Sequence, residues 1–402
     1  MKRIVYINAW GNGSTGKIID QLKVASSNAD YESLLLYGRG VSATPESSIN
    51  INTQANLYLD ALYSRVFDNH GRNSKGVTKK AIKILNEYKP DLIHLHNLHG
   101  YWINYILLFN YINANSIPVI WTLHDCWAIT GHCAYYQYLG CKNQEYGCGK
   151  CPGINHYPKS FADNSKKNFN IKSEIFTSVK NMHIVTPSEW LANLVSKSYL
   201  NKYPCTVINN IIDSNTFKPT DYEYLYQKYG IPQSKKIVLY VAMSTSDPWK
   251  GFDILIKAAE NLPEDYCVVI VGNCKLASTK KIINVGRTDN QTELAAFYSM
   301  ADVLANPSLD DNYPTVNLEA LACGLPIAAF FTGGIPEQVD EKVGILSKEK
   351  TANELCNSII KICQKGKGYY SENCIKKITT LLSKQSFIED YTKLYKSVNL
   401  NK

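Results

Sequence analysis

Asp311-Asn-Tyr-Pro-Thr-Val-Asn-Leu-Glu319-Ala-Leu-Ala-Cys-Gly-Leu-Pro326 is the stretch whose reading decides the fold. Asp311 lies in a polar approach, and Glu319 lies inside a helical pattern. The apolar run Leu325-Pro326-Ile327-Ala328-Ala329-Phe330 that follows reads as a buried strand. The two acids therefore flank the point where a loop enters a helix inside an α/β layer, the place where such sheets take ligands. A helix N-terminus offers unpaired N–H groups and the positive end of a dipole, which suits a diphosphate. Carboxylates beside such an anion need another partner, and the hydroxyls of a sugar or a ribose provide one. The stretch points to a nucleotide-sugar site.

Working outward, the remaining sequence alternates strand and helix. In the first half, strands are expected at 2–8, 33–37, 92–96, 119–123, 183–186 and 206–209, and helices at 16–26, 79–88, 105–113 and 189–196. In the second half, strands are expected at 237–242, 267–271, 302–305 and 325–330, and helices at 252–261, 291–300, 315–322 and 352–364. A final amphipathic helical segment covers 371–398. Alternation of this kind implies parallel sheets with helices on both faces. The expected organisation is a first domain over 1–212 with a cysteine-rich insertion at 126–152, and a polar linker over 213–235. A second domain follows over 236–380, and a last helix over 381–402.

The length of 402 residues is consistent with two to three domains, and a hydrophobic share of 45% with 19% charged residues fits ordinary globular cores. There is no run of 18 apolar residues of the kind that marks a membrane-spanning helix. The opening Met1-Lys-Arg-Ile-Val-Tyr-Ile-Asn8 has too short an apolar run for a signal peptide and reads as a first strand, so a cytoplasmic location is expected. The formal charge of +8 is uneven. Arg65, Arg72, Lys75, Lys79, Lys80, Lys83 and Lys89 face only Asp68 and Glu87. This stretch, 65–89, is either the solvated face of a sheet-covering helix or a surface that meets anionic lipid at the inner face of a membrane. No nucleic-acid-binding motif accompanies it.

Several short motifs bear on chemistry. Gly11-Asn12-Gly13-Ser-Thr-Gly16-Lys17 follows the first strand and opens a helix. A P-loop needs Ser or Thr after the lysine to hold magnesium, and Ile18 stands there. What remains is a loop of backbone N–H groups close to a polar ligand, or a purely structural turn. His94, His96, Asn97 and His99 cluster at the end of one strand and would line an acceptor pocket, with hydrogen-bonded core histidines as the plainer reading. Val119–Leu123 delivers His124 and Asp125 to the end of the next strand. An imidazole there can hydrogen-bond a sugar hydroxyl or donate to a developing charge, unless it forms a satisfied buried pair with the aspartate. Cys133, Cys141, Cys148 and Cys151 crowd one loop. In a reducing compartment four close thiols suit a closed structural zinc, with plain thiols and disulfides as the alternatives. The other cysteines sit mostly in apolar patterns and read as small buried residues. Lys250, after the first strand of the second half, can pair with a diphosphate. One such contact at ~4 Å is worth roughly 4 kcal/mol of Coulomb energy at intermediate dielectric, before desolvation.

Together these motifs resemble the GT-B glycosyltransferases of family 4, and the first half is similar to a subgroup from polysaccharide assembly. The residues that carry the resemblance are Lys250-Gly251, Val271-Gly272, Val285-Gly286, Tyr298 through Ser308, the acidic pair, and Thr332-Gly-Gly-Ile-Pro-Glu337. In the first half they are His94-Leu-His96-Asn97, Thr122-Leu-His124-Asp125-Cys-Trp, the cysteine loop and Thr186-Pro-Ser188-Glu-Trp190. The resemblance implies two doubly wound Rossmann-like domains facing across a cleft, with the last helix crossing back to the first domain. It implies retaining transfer, without a metal or other cofactor in catalysis, from a UDP or GDP sugar to a glycan or lipid-linked glycan. In it, Lys250 and the backbone of Asn312, Tyr313, Pro314 and Thr315 hold the diphosphate and Glu319 holds the ribose. Asp311 binds the donor sugar, His124 touches the sugar near the reacting carbon, and Gly11, Asn12 and Gly13 close on the diphosphate and acceptor.

The sequence departs from the family at two places. The family usually has Glu where Asp311 stands, which shortens the reach by about 1.5 Å. A misplacement of about 1 Å can cost about 100-fold in rate. The family also usually carries an arginine near 243–246, and none stands there; Arg287 is the nearest stand-in. The two departures motivate one alternative, a catalytically impaired sugar-binding relic; a nucleotide-sugar epimerase of the same fold is another.

Overall fold

The computed structural model describes residues 1–142, 147–381 and 384–398. The chain divides into two compact units, Met1–Asn209 with Gln385–Lys402, and Asn210–Lys384.

The first unit is built on a seven-stranded parallel sheet of order β3-β2-β1-β4-β5-β6-β7. Its strands are β1 (Lys2–Trp10), β2 (Tyr31–Arg39), β3 (Ser48–Asn50), β4 (Leu92–Leu95), β5 (Val119–Thr122), β6 (Met182–Thr186) and β7 (Cys205–Val207). The connecting helices are α1 (Gly13–Ser27), α2 (Gln54–Phe67), α3 (Lys75–Tyr88), α4 (Tyr105–Ala114), α5 (Ser165–Phe176) and α6 (Glu189–Ser196). Helices cover both faces of such a sheet, so its strands read as apolar runs rather than alternating patterns. Ile4, Val5, Tyr6 and Ile7 accordingly have no exposed surface.

The second unit carries a six-stranded parallel sheet of order β10-β9-β8-β11-β12-β13. Its strands are β8 (Lys236–Ser244), β9 (Tyr266–Asn273), β10 (Ile282–Gly286), β11 (Val303–Asn306), β12 (Ile327–Phe330) and β13 (Gly344–Ser347). Its helices are α7 (Glu223–Tyr229), α8 (Phe252–Asn261), α9 (Gln291–Met300), α10 (Thr315–Ala322), α11 (Ile335–Gln338), α12 (Ala352–Lys365) and α13 (Lys367–Leu381). The stretch 213–235, expected as a linker, lies within this unit and includes α7.

The last helix, α14 (Lys384–Val398), belongs with the first unit. Tyr391 and Tyr395 are buried there. The Tyr395 hydroxyl lies 3.1 Å from the Tyr6 hydroxyl and 3.0 Å from His94 Nδ1. The Tyr391 hydroxyl lies 3.1 Å from Thr122 Oγ1. The helix thus completes the core beneath β1, β4 and β5 with polar contacts that an apolar helix could not make.

Strand order locates the ligand edges. In the first unit the sheet grows in opposite directions from β1 and β4, and in the second from β8 and β11. Ligands of open parallel sheets bind beyond the carboxyl ends of the strands at such reversals. The glycine loop follows β1 and His96-Asn97 follows β4; Lys250 follows β8 and Asp311 follows β11. All four segments therefore sit at reversal points.

Replacing Tyr395 by Phe removes one hydroxyl from the Tyr6–His94 cluster and keeps the ring. This should cost about 1–2 kcal/mol through the buried partners left behind. Urea denaturation followed by tyrosine and tryptophan fluorescence measures it; no shift in midpoint would show that α14 adds only apolar burial.

Candidate functional site

In the second unit, β8 leads through Pro248-Trp249-Lys250 into Gly251, whose φ of 67° opens α8. A Cβ on Gly251 would come within 2.0 Å of the Pro307 carbonyl oxygen, so the loops after β8 and β11 touch here through backbone alone. Lys250 Nζ lies 2.7 Å from Asp311 Oδ2, and the Ser308 hydroxyl donates to the same oxygen at 3.3 Å. The Asp311 carboxylate is almost wholly buried, while the Lys250 side chain keeps 29% of its surface exposed. Behind the pair is a small cavity lined by Tyr240, Lys250, Asn306, Ser308 and Val316, among others. Burial raises the Asp247 carboxyl above its ordinary range, with Lys250 acting against it.

The start of α10 is held by a buried chain of amides. Asn306 Nδ2 donates to Asn317 Oδ1 at 2.8 Å, Asn317 Nδ2 to Gln338 Oε1 at 2.8 Å, and Gln338 Nε2 to the Pro314 carbonyl at 3.1 Å. The N-cap residue of α10 is Pro314, which has no side-chain acceptor to cap the helix, and the Asn317 amide donates to the Pro314 carbonyl at 3.2 Å. The N-terminus of a helix at a sheet edge suits an anion. Asn312, Tyr313 and Pro314 are buried, Thr315 is half-buried, and Asn210 Nδ2 donates to the Tyr313 carbonyl at 3.3 Å. Glu319 is half-buried and accepts from the Tyr298 hydroxyl at 2.8 Å. Lys350 Nζ braces the same loop, donating to the Leu309 carbonyl at 2.9 Å and to Thr332 Oγ1 at 3.0 Å. Arg287 lies beyond the edge strand β10 and pairs with Asp289, at 3.0 Å from Nε.

In the first unit, Gly13 takes a φ of 72° at the start of α1. A Cβ on Gly16 would come within 2.9 Å of the Gly11 carbonyl, so the two ends of the loop can close only around glycine. Asn8 Nδ2 donates to the Trp10 carbonyl at 2.7 Å and to Thr15 Oγ1 at 3.1 Å, and Asn8 Oδ1 accepts from the Asn97 amide at 3.3 Å. The glycine loop and the segment after β4 thus share one side chain.

The histidines form two separate groups. His96 Nδ1 lies 3.0 Å from His124 Nε2, the His94 and His96 rings stack at 4.4 Å, and His94 Nε2 meets Thr122 Oγ1 at 2.8 Å. His99 instead belongs with Asp125. Its Nε2 is 2.7 Å from Asp125 Oδ2, its Nδ1 is 2.9 Å from the Tyr157 hydroxyl, and the Trp127 amide donates to Asp125 Oδ1 at 2.8 Å. Asp125 is thus held by His99 and the Trp127 amide. Burial works against the Asp125 charge, but the His99 ring and the Trp127 amide outweigh it and leave the carboxyl below its usual range. Burial pushes His124 down to about 4, and His94 and His96 well below their ordinary value. All three are neutral near pH 7, so His124 can act there through a hydrogen bond and not as a resident cation.

The four clustered cysteines line one small cavity together with Thr130, His132 and Tyr136. All are thiols, with Cys133 Sγ 3.6 Å from Cys151 Sγ, and the Gly131 amide donates to Cys148 Sγ at 3.1 Å. Among the described residues, no three His, Cys, Asp or Glu side chains are arranged to hold a metal ion. Of the scattered cysteines, Cys205 is exposed and Cys274 half-buried, contrary to a uniform buried reading; both stand at ends of strands, where the pattern breaks.

Residues 32–216 match the family described as Glycosyltransferase Family 4, and residues 221–380 match Glycosyl transferases group 1. The putative colanic acid biosynthesis glycosyl transferase WcaC of Escherichia coli K12 is 25% identical over 372 residues, 90% of this chain and 87% of WcaC. A D-inositol 3-phosphate glycosyltransferase of Mycobacteroides abscessus is 28% identical over 203 residues, 46% of this chain and 45% of that protein. Among solved structures, the sucrose-phosphate synthase of Thermosynechococcus elongatus superposes with a TM-score of 0.74 at 16% identity, covering 100% of both chains. Anabaena HepE in complex with UDP superposes at 0.68 and 18% identity, covering 99% of this chain and 100% of that one. The two parallel-sheet units are those of the GT-B class. The chain belongs to the GT-B glycosyltransferases of family 4.

Sequence reasoning did not single out Lys350, the Asn306–Asn317–Gln338 relay, or the tyrosines of α14. Tyr298 stood inside the resemblance, but nothing marked its hydroxyl as the partner of Glu319.

The depressed histidines set a pH dependence of stability. In the unfolded chain these rings titrate near 6.5, whereas folded His124 stays neutral down to about 4. Across that window the unfolded state binds more protons, so stability falls as pH drops, by up to about 1.4 kcal/mol per pH unit for each such ring. Denaturation between pH 7 and 4 should show this slope, and His94→Gln should reduce it; an unchanged slope would mean that other groups carry the effect.

Proposed function

We propose that the protein transfers a sugar, with retention of anomeric configuration, from a nucleoside diphosphate sugar to a hydroxyl of a glycan or lipid-linked glycan during surface polysaccharide assembly. The observation that carries this reading is the Lys250–Asp311 pair at the reversal point of the second sheet, beside the start of α10 at Pro314. A diphosphate arriving there competes with Asp311 for Lys250. The ammonium and the first amides of α10 then take the charge that develops as the glycosidic C–O bond breaks. Asp311, released, turns its oxygens to the donor's sugar hydroxyls, and Glu319, oriented by Tyr298, accepts from the ribose. The leaving phosphate oxygen takes the acceptor proton on the same face, so no carboxylate nucleophile is required. Neutral His124 donates or accepts one hydrogen bond at the sugar.

Support for the donor class comes from HepE, whose solved structures hold UDP and UDP-glucose. WcaC supports the polysaccharide setting. Under this reading the charge stabilisation that a metal gives in other transferases falls to Lys250 and the helix start. Arg287, committed to Asp289, would have to exchange partners before it reached a donor.

A thermal-shift screen with UDP, GDP and their sugars should show stabilisation by one nucleotide family. Lys250→Ala should abolish most of it and lower kcat/KM by about 100- to 1,000-fold. If no nucleotide raises the melting temperature, or if Lys250→Ala responds as the parent does, the donor assignment falls. Asp311→Glu tests the shortened side chain: a rise in rate would mark the present site as impaired.

For the cysteine loop we propose a structural zinc. The shared cavity and the Cys133–Cys151 separation of 3.6 Å support it. That separation is close to the edge of about 3.8 Å in a tetrahedron with bonds of about 2.3 Å. No three of the described side chains are placed to hold a metal, so closure needs the thiols to rearrange. Elemental analysis of protein purified without chelators should find about one zinc per chain; its absence would leave the cluster as reduced thiols.

A further inference from the structure

We propose that His132 ligates the metal of the cysteine loop together with Cys133, Cys148 and Cys151, and that Asp68 orients it. The inference rests on the zinc reading above and changes its ligand set: the imidazole takes one of the four positions, and Cys141 stays outside.

His132 lines the cavity that the four clustered cysteines share, and it is 2% exposed. Its Nδ1 lies 2.6 Å from Asp68 Oδ1, and Asp68 Oδ2 accepts from the Asn164 amide at 2.9 Å. Both carboxylate oxygens are thus acceptors, which places a ring proton on Nδ1. His132 Nε2 is buried and, among the described residues, has no hydrogen-bond partner. A buried nitrogen left in that condition costs free energy that a bond to it recovers. A carboxylate on one ring nitrogen, with thiols around the same ring, is how histidines that bind metals are held. The outer carboxylate fixes the tautomer and makes the ligating nitrogen more basic.

His132 and the four cysteines border the cavity, and a closed tetrahedral site takes only four of these five. Cys133 Sγ is already 3.6 Å from Cys151 Sγ. Cys148-Gly-Lys-Cys151 has the two-residue spacer that lets both thiols reach one ion. Cys148 Sγ also accepts from the amide of Gly131, the neighbour of His132, at 3.1 Å. Cys141 is therefore the thiol that the imidazole displaces. Charge favours the same set. Zinc with three thiolates and a neutral imidazole carries one net negative charge, whereas four thiolates leave two. The buried cation at this loop is Lys172, whose Nζ donates to the Trp127 and Thr130 carbonyls at 2.7 and 3.0 Å. One ammonium balances the first charge and not the second. Among the described residues no three such side chains yet stand ready for an ion. Asp68 fixes the imidazole, so closure brings the thiols to it. Binding releases the thiol protons of Cys133, Cys148 and Cys151 and none from His132.

This set ties the metal to α2. Asp68 is the C-cap of that helix at a φ of 45°, and Asn168 Nδ2 donates to its carbonyl at 2.6 Å. The buried residues of α2 are Asp60 and Ser64, while Leu62 and Phe67 are exposed. Polar bonds rather than apolar burial seat the helix, and the bond from His132 to Asp68 is one of them.

The test uses the full chain, purified without chelators, and then stripped and refilled with cobalt(II). The thiolate charge-transfer absorption of cobalt counts sulfur ligands, and three are expected. Cys141→Ser should leave both the spectrum and the zinc content unchanged. His132→Cys should keep the ion and add the absorption of a fourth thiolate. Zinc affinity, read by competition with a chromophoric chelator, should fall about 10- to 100-fold in Asp68→Asn and further in His132→Ala. Hydrogen exchange in α2 should quicken when the parent is stripped; equal exchange would sever the tie to that helix. Four thiolates in the parent, loss of the ion in Cys141→Ser, or zinc held as tightly by His132→Ala as by the parent overturns the proposal. Where His132→Ala does not fold, the parent spectrum and Cys141→Ser decide. A parent without zinc ends the zinc reading and this inference together, whereas zinc on four thiolates ends this inference alone.

Discussion

The ion pair between Lys250 and Asp311 organises the ligand edge of the second unit. A carboxylate so far removed from water needs a cation or several donors close by, and Lys250 at 2.7 Å with Ser308 supplies them. The position of Asp311 is fixed from the other side as well. A Cβ on Gly333 would come within 1.7 Å of the Asp311 carbonyl oxygen, and the Gly334 amide donates to that oxygen at 3.1 Å. The loops after β8, β11 and β12 therefore converge on one residue. In this state each charge satisfies the other. Under the proposed donor reading, a ligand that parts them would have to offer both an anion and hydroxyls; a bare phosphate would supply half of that, and an uncharged sugar the other half.

Much of this architecture was legible in the sequence, for reasons particular residues make plain. Helices α8, α9 and α10 fall at the residues their periodicity gave, because Gly251, Asn290 and Pro314 mark their starts. The strands buried on both faces announced themselves as apolar runs, as in Ile4–Ile7. What escaped reading lacks such signals. Strands β3 and β10 are short edge strands with mixed burial, and α7 sits in a stretch whose Pro219, Gly230 and Pro232 suggest a linker. In the site, residue types at strand ends pointed to Lys250, Asp311 and Glu319, but not to the partners that hold them. Tyr298 lies 21 positions from Glu319, Gln338 24 from Pro314 and Lys350 41 from Leu309, and no local pattern reports contacts of that kind. A buried His124–Asp125 pair was the plainer alternative in the sequence, whereas the hydrogen bond at 2.7 Å joins Asp125 to His99, 26 positions away and beyond any local pattern.

Burial decides the character of the first unit's ligand edge. Removing three imidazoles from water makes each a neutral hydrogen-bonding group, and the stacked His94, His96 and His124 rings share contacts that would be repulsive if any two were charged. The same unit shows the opposite arrangement at α2, where polar side chains face inward and apolar ones outward. Both follow from one rule: a buried polar group settles where its partners are, whatever the hydrophobic pattern alone would favour.

The position of α14 has a bearing on how the chain is made. Tyr6 and His94 are synthesised well before Tyr395, yet the hydroxyl they share belongs to it, 389 and 301 positions further along the chain. Domains usually mature in the order of their emergence. Here the later unit can finish while the earlier one still waits with an open seam along β1, β4 and β5. For the duration of translation that seam exposes apolar surface, so nascent chains stalled short of α14 are natural clients for chaperones.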